Sequence, residues 1–85
     1  MDVIVVGLPG AKTQRTINNV EEALTEFEFD GGFEWVEDVR QMQRMGIVRT
    51  PSVLVNNRLK VVGRIPSVFE VTTWIAEELV EELAV

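Results

Sequence analysis

The sequence predicts an α/β fold: a mixed four-stranded sheet with helices on both faces, in the order β-α-β-α-β-β-α. Three observations carry it. Short apolar runs bounded by turn residues, Val3 to Val6 and Ser52 to Val55, read as buried strands. Two longer segments repeat apolar residues at three- and four-residue steps, which is helical spacing. Asn56-Asn57 separates two apolar runs, and Asn tolerates the positive φ of a tight hairpin turn.

The elements follow in chain order. Val3-Ile4-Val5-Val6 is the first strand, ended by Gly7, and Gly7-Leu8-Pro9-Gly10 is a loop. A helix is expected from about Ala11 to Phe27, with Ile17, Val20, Leu24 and Phe27 on its apolar stripe. Asp30-Gly31-Gly32 should stop it. Phe33 to Val36 reads as the second strand, and Asp38 can cap a short helix that turns Val39, Met42 and Met45 inward until Gly46. Pro51 precedes the strands Ser52 to Val55 and Leu59 to Val62. Gly63 to Pro66 is a connector, and Ser67-Val68-Phe69-Glu70 is a capping box that opens a last helix with Val68, Val71, Ile75 and Leu79 inward. The strand–helix–strand half favours a parallel pair with a right-handed crossover, and the hairpin half must be antiparallel. The core expected from this pattern is Ile4, Val6, Ile17, Val20, Leu24, Val53, Val55, Val61, Val71 and Ile75.

Composition narrows the function. The chain has 85 residues, which as one domain (1–85) suffices for a single small core and leaves no room for a second. With 8 Lys and Arg against 14 Asp and Glu, its net charge of −6 speaks against nucleic acid as a partner. It contains neither Cys nor His, which removes disulfides, thiol chemistry, Cys/His metal sites and imidazole catalysis. No apolar stretch approaches the roughly 20 residues of a membrane span, and none reads as a signal peptide. Membrane insertion is therefore not expected, and the expected compartment is the cytoplasm.

The order of motifs resembles a known family. Asn19-Val20-Glu21-Glu22-Ala23-Leu24 in the first helix, Gly46-Ile47-Val48-Arg49-Thr50-Pro51, the strand and turn Val53-Leu54-Val55-Asn56-Asn57, and Gly63-Arg64-Ile65-Pro66-Ser67 stand in the order and spacing of the small single-domain thioredoxin-like proteins, the redox-active disulfide protein type. The resemblance runs from Val3 to about Leu79 and implies a thioredoxin-like sandwich with sheet order β2-β1-β3-β4. It also implies a cis peptide bond at Thr50-Pro51, facing the redox loop. The family's Cys-x-x-Cys falls here on Gly10-Ala11-Lys12-Thr13. Dithiol exchange needs one thiolate to attack and a second to resolve, and neither Gly10 nor Thr13 supplies one. No catalytic residue, metal or cofactor is therefore expected, and the chain reads as a non-enzyme within a redox family.

Two binding readings remain. In the first, the resemblance implies a groove between Gly10, Ala11, Lys12, Thr13 and Arg49, Thr50, Pro51 that takes an extended peptide or a partner protein. In the second, Lys12 and Arg15 at a helix start, with Arg49 and Arg64 brought near the same edge in the resembled fold, attract a small anion such as glutathione or phosphate. Solvated loop charges would look the same in sequence. A P-loop is excluded, because counting back from Lys12 puts Ala11 and Val6 where glycines are required. Trp35, Trp74, the four Phe residues, Met42 and Met45 read as packing residues, and Glu77 to Glu82 as solvated surface. The oligomeric state expected is a monomer or a weak homodimer formed through an exposed edge strand.

Overall fold

A computed structural model of the chain describes residues 1–27 and 32–84. Its elements are β1 (Val3–Val6), α1 (Ala11–Leu24), β2 (Glu34–Val36), α2 (Val39–Arg44), β3 (Ser52–Val55), β4 (Arg58–Val62) and α3 (Val68–Leu83). They form a mixed sheet in the order β2-β1-β3-β4, with β1 parallel to β2 and antiparallel to β3, and β3 antiparallel to β4. This is the predicted α/β class and topology.

Alternation along the strands divides the interior into two layers. Val3, Val5, Val53, Val55 and Val61 turn to one face, where Ile17, Val20 and Ala23 of α1 and Val71 and Ile75 of α3 cover them. Val6 and Val36 turn to the other, against Met42 and Ile47, with Ile4, Met45 and Leu54 half-buried at the margin. The expected core placed Ile4 and Val6 with Ile17. A run of four apolar residues carries no phase, so its sequence does not tell which alternate pair meets the helices. Leu24 is half-buried at the last turn of α1.

Local chemistry sets the element ends. After Leu24 the chain tightens, with Glu26 N–H donating to Ala23 O and Phe27 N–H to Leu24 O, so α1 closes three residues before the expected end. The expected stop at Asp30 and Gly31 lies outside the described residues. Asn56 (φ 51°) and Asn57 (φ 64°) both take the left-handed conformation that a tight hairpin needs. The Asn56 side chain accepts from Asp2 N–H at 2.9 Å, which ties this turn to the entry of β1. Within the hairpin the partner of β3 jumps from Val61 to Leu59, leaving Lys60 as a bulge. Ser67 and Glu70 form the expected capping box at the start of α3.

Four packing expectations are corrected. Val39 is exposed on α2, because one turn and a half of helix can press only one side against the sheet, and Met42 takes that side. Phe69 is exposed on the outer face of α3, and Trp35 is more than a third exposed on the edge strand. Glu78, expected on solvated surface, is only 3% exposed. It lies on the inner side of α3, where Lys60 Nζ meets it at 2.9 Å and Arg58 at 3.7 Å. The Lys60 hydrogen bond holds the Glu78 carboxyl below the usual carboxylate range, against the opposing effect of burial. The bulge is what turns Lys60 toward it. Among the described residues, no helix is long and apolar enough to cross a membrane.

Candidate functional site

Strand register gathers the loops at one end of the sheet. Val6 pairs with Ser52 across β1 and β3, so the next residue on one side, Gly7, stands beside the preceding residue on the other, Pro51. Gly7 N–H donates to Val36 O at 3.0 Å, and Trp35 Nε1–H donates to Gly7 O at 2.8 Å. The backbone of Gly7 is thus held from the β2 side. On its other side stands Thr13, and a Cβ at Gly7 would overlap Thr13 Oγ1. Only glycine lets the first turn of α1 pack this closely on β1.

The opposing loop is held as firmly. The Thr50–Pro51 peptide bond is cis, and Pro51 is buried. Pro51 O accepts from Gly63 N–H at 2.9 Å, and Ser52 Oγ donates to Arg49 O at 2.6 Å. Gly63 has φ +75°, and the Arg49 side chain lies where a Cβ would come into tight contact. Asn19 Nδ2 donates to Pro66 O at 2.8 Å, joining α1 to the connector before α3. Among the described residues, the main chain of Thr50 makes no hydrogen bond.

Between these loops and α2 lies an open cavity of about 320 Å³, lined by Leu8, Val39, Met42, Gln43, Ile47, Val48 and Thr50. Met42 and Ile47 form its buried floor. Leu8, Val39 and Val48 form its rim and are 51%, 52% and 92% exposed. Large apolar side chains standing together at this exposure are unusual for a surface that meets only water. A second cavity, about 340 Å³ and bordered by Asp2, Glu34 and Asn57, sits at the opposite end of the sheet and shares none of these loops.

The residues expected from sequence distribute unevenly around this cavity. Thr50 lines it and Pro51 lies behind it. Gly10, Ala11 and Lys12 are exposed at the start of α1, whereas Thr13 is buried at 5%. Arg15 is exposed one turn further on. The N-terminus of α1 has no side-chain cap and no acidic residue in its first turn. Arg64 is already engaged, with Nη1 and Nη2 donating to the Glu70 carboxylate at 2.9 and 2.6 Å. The Arg64 guanidinium and the Ser67 N–H hold the Glu70 carboxyl down at about 2. Sequence reasoning did not single out Leu8 or Val48, and it turned Val39 inward. The available signal was apolar residues inside loops, Leu8 beside Pro9 and Val48 beside Arg49.

No cysteine is present, so the chain has no thiol of its own to exchange. Thr13 has its hydroxyl packed against Gly7. Among the described residues no group of His, Cys, Asp or Glu is placed to hold a metal ion. The arrangement can bind: an apolar floor and rim, an adjacent unpaired main chain at Thr50, and a positively polarised helix end.

Two comparisons with known proteins bear on this geometry. A family model described as thioredoxin domain matches residues 1–76. A protein named thioredoxin from the archaeon Methanothermobacter thermautotrophicus is 30% identical over 71 residues, covering 84% of this chain and 92% of the relative.

Proposed function

Since the chain belongs to the thioredoxin domain family, we propose that it is a cysteine-less thioredoxin-like module that binds an extended segment of a partner protein instead of reducing one. The observation that carries this reading is the apolar rim of Leu8, Val39 and Val48 around the cavity beside Thr50. An extended peptide laid along the loop would bury an apolar side chain on Met42 and Ile47 and pair its main chain with Thr50. Loss of both cysteines removes the chemistry but leaves this surface, which no thiol helps to build. Of the groove residues, Thr50 lines the cavity with Pro51 behind it, Gly10, Ala11, Lys12 and Thr13 form the neighbouring start of α1, and Lys12 and Arg49 favour an acidic residue in the bound segment.

Binding of glutathione or phosphate at Lys12 and Arg15 is the second reading, and it has less support. Arg64 would have to exchange Glu70 for the ligand. The test is an amide-resolved NMR titration of isotope-labelled protein with pools of short extended peptides and, separately, with glutathione. Shifts at Gly7 to Lys12 and Ile47 to Ser52 with apolar-containing pools, lost in Val48→Asp, are expected. If no pool moves these amides, the groove reading falls. If glutathione alone moves Lys12 and Arg15, and salt abolishes the effect, the anion reading replaces it.

A further inference from the structure

The outer face of α3 carries a second apolar stripe that the core does not use. Phe69, Thr73, Ala76, Val80 and Leu83 follow one another at four-, three-, four- and three-residue steps, so they stack along one side of the helix. Phe69, Val80 and Leu83 are 79%, 67% and 84% exposed. The inward side of the same helix is complete without them, through Val71, Ile75 and Glu78. Alternating four and three is the spacing of a helix–helix seam, and Ala76 at its centre lets a second helix come close.

Charge selects the occupant. Glu70, Glu77 and Glu81 follow one margin of the stripe, and the last turn of α3 contains no basic residue. Arg64 and Arg58 pair with Glu70 and Glu81, while Glu77 on the same margin has no cation among the described residues; Glu82 turns to the other side of the helix, where it accepts from Asn56 Nδ2 at 2.8 Å. A second copy crossing at Ala76 would set Glu77 against its own counterpart, between chains of net charge −6. We propose that the outer face of α3 docks a basic amphipathic helix of another protein, its apolar side on Phe69, Val80 and Leu83 and its Lys or Arg residues along the margin of Glu70, Glu77 and Glu81. This surface is separate from the groove at Leu8 and Val48, so one module can hold two partner segments at once.

The test uses the full chain and two synthetic helical peptides. One has Leu at the same four–three spacing with Lys on both margins, and the other replaces each Lys by Glu. The Lys peptide should perturb the amides of Phe69 to Leu83, bind more weakly as salt rises, and be unaffected by Val48→Asp in the groove. The double variant Val80→Ser/Leu83→Ser keeps every charge and alters only exposed positions, and it should bind at least about tenfold more weakly. Equal binding by that variant would reduce the effect to non-specific charge and overturn the proposal. So would equal binding of the Glu peptide, or perturbations at Leu8 and Val48 in place of α3. Dimerisation of the protein alone, lost in the same double variant, would assign the face to a second copy and also overturn it.

Discussion

The two faces of the sheet are covered very differently. On one, two helices of 14 and 16 residues enclose the valines of β1, β3 and β4. On the other, α2 has 6 residues and spans only about 9 Å, whereas the outer strands of a four-stranded sheet lie about 14 Å apart. A helix that short cannot roof the sheet. Leu59 and Val62 on β4 stay half-exposed, and Leu8, Val39 and Val48 surround an open cavity. Stability is therefore concentrated on the face with α1 and α3. The under-covered face is where apolar side chains of the strands and their loops stay open to solvent.

The sharpest way to break this comparison is to hollow each face in turn. Ile75 is fully buried between α3 and the sheet, and Ile75→Ala should cost about 4 kcal/mol in urea unfolding. On the other face, Val48→Ala should change stability by less than about 0.5 kcal/mol while weakening peptide binding. Met42→Ala should fall between them, near about 2 kcal/mol, because its cavity opens to solvent and can collapse. Equal losses from Ile75→Ala and Met42→Ala would mean that the two faces share the stability evenly.

A second prediction concerns the junction of the faces at Gly7. Gly7→Ala drives a methyl group into Thr13 and should cost about 1–3 kcal/mol. Thr13→Ala in the same chain removes Oγ1 and should recover part of that loss, which a double-mutant cycle would read as coupling. Additive losses would show that the close approach of α1 to β1 is not what requires glycine here.

How much of this was legible in the sequence depended on the period of the signal. The stripe of Ile17 and Val20, the capping box at Ser67 and Glu70 and the double-Asn turn are local patterns, and each appears where the sequence puts it. The phase of Val3 to Val6 was not legible, because an all-apolar run reads alike from both faces. Glu78 was not legible either. Its partner Lys60 comes from β4 through a bulge, and no spacing along the chain announces a bulge. At the groove, Thr50-Pro51 was legible through the family resemblance, but the apolar rim was not. Leu8, Val39 and Val48 belong to three separate segments and become one surface only when the sheet aligns their loops.

A smaller effect tests the well-covered face from inside. Thr72 Oγ1 is buried there with no hydrogen-bond partner among the described residues. A buried hydroxyl without a partner costs about 1 kcal/mol or more, and Val has nearly the same shape. Thr72→Val should therefore raise stability by about 1 kcal/mol. A loss would show that water or another group satisfies the hydroxyl, and that this face is less dry than its packing implies.

The smallest expected effect lies at the connector, where the Arg64 side chain is 56% and the Glu70 side chain 32% exposed, so that the pair is screened by salt. The Glu70 carboxyl is lowered from an ordinary 4.5 to about 2 in the folded chain, first by the Arg64 hydrogen bond and next by the Ser67 N–H. Between those two values the unfolded chain binds a proton that the folded chain refuses. The pair's contribution is thus complete above about 4.5 and is lost as pH falls toward about 2. Arg64→Gln keeps the capping box and removes only the guanidinium. The stability gap between wild type and Arg64→Gln should be small at neutral pH, shrink further at high salt, and close in acid. A gap that persists below the lowered value would mean that Arg64 acts through packing, not charge. Glu70→Gln reads the same pair from the other side. It releases Arg64 from its ion pair, and if phosphate then binds where it did not before, Glu70 is what keeps that end of the sheet closed to anions and open to peptides.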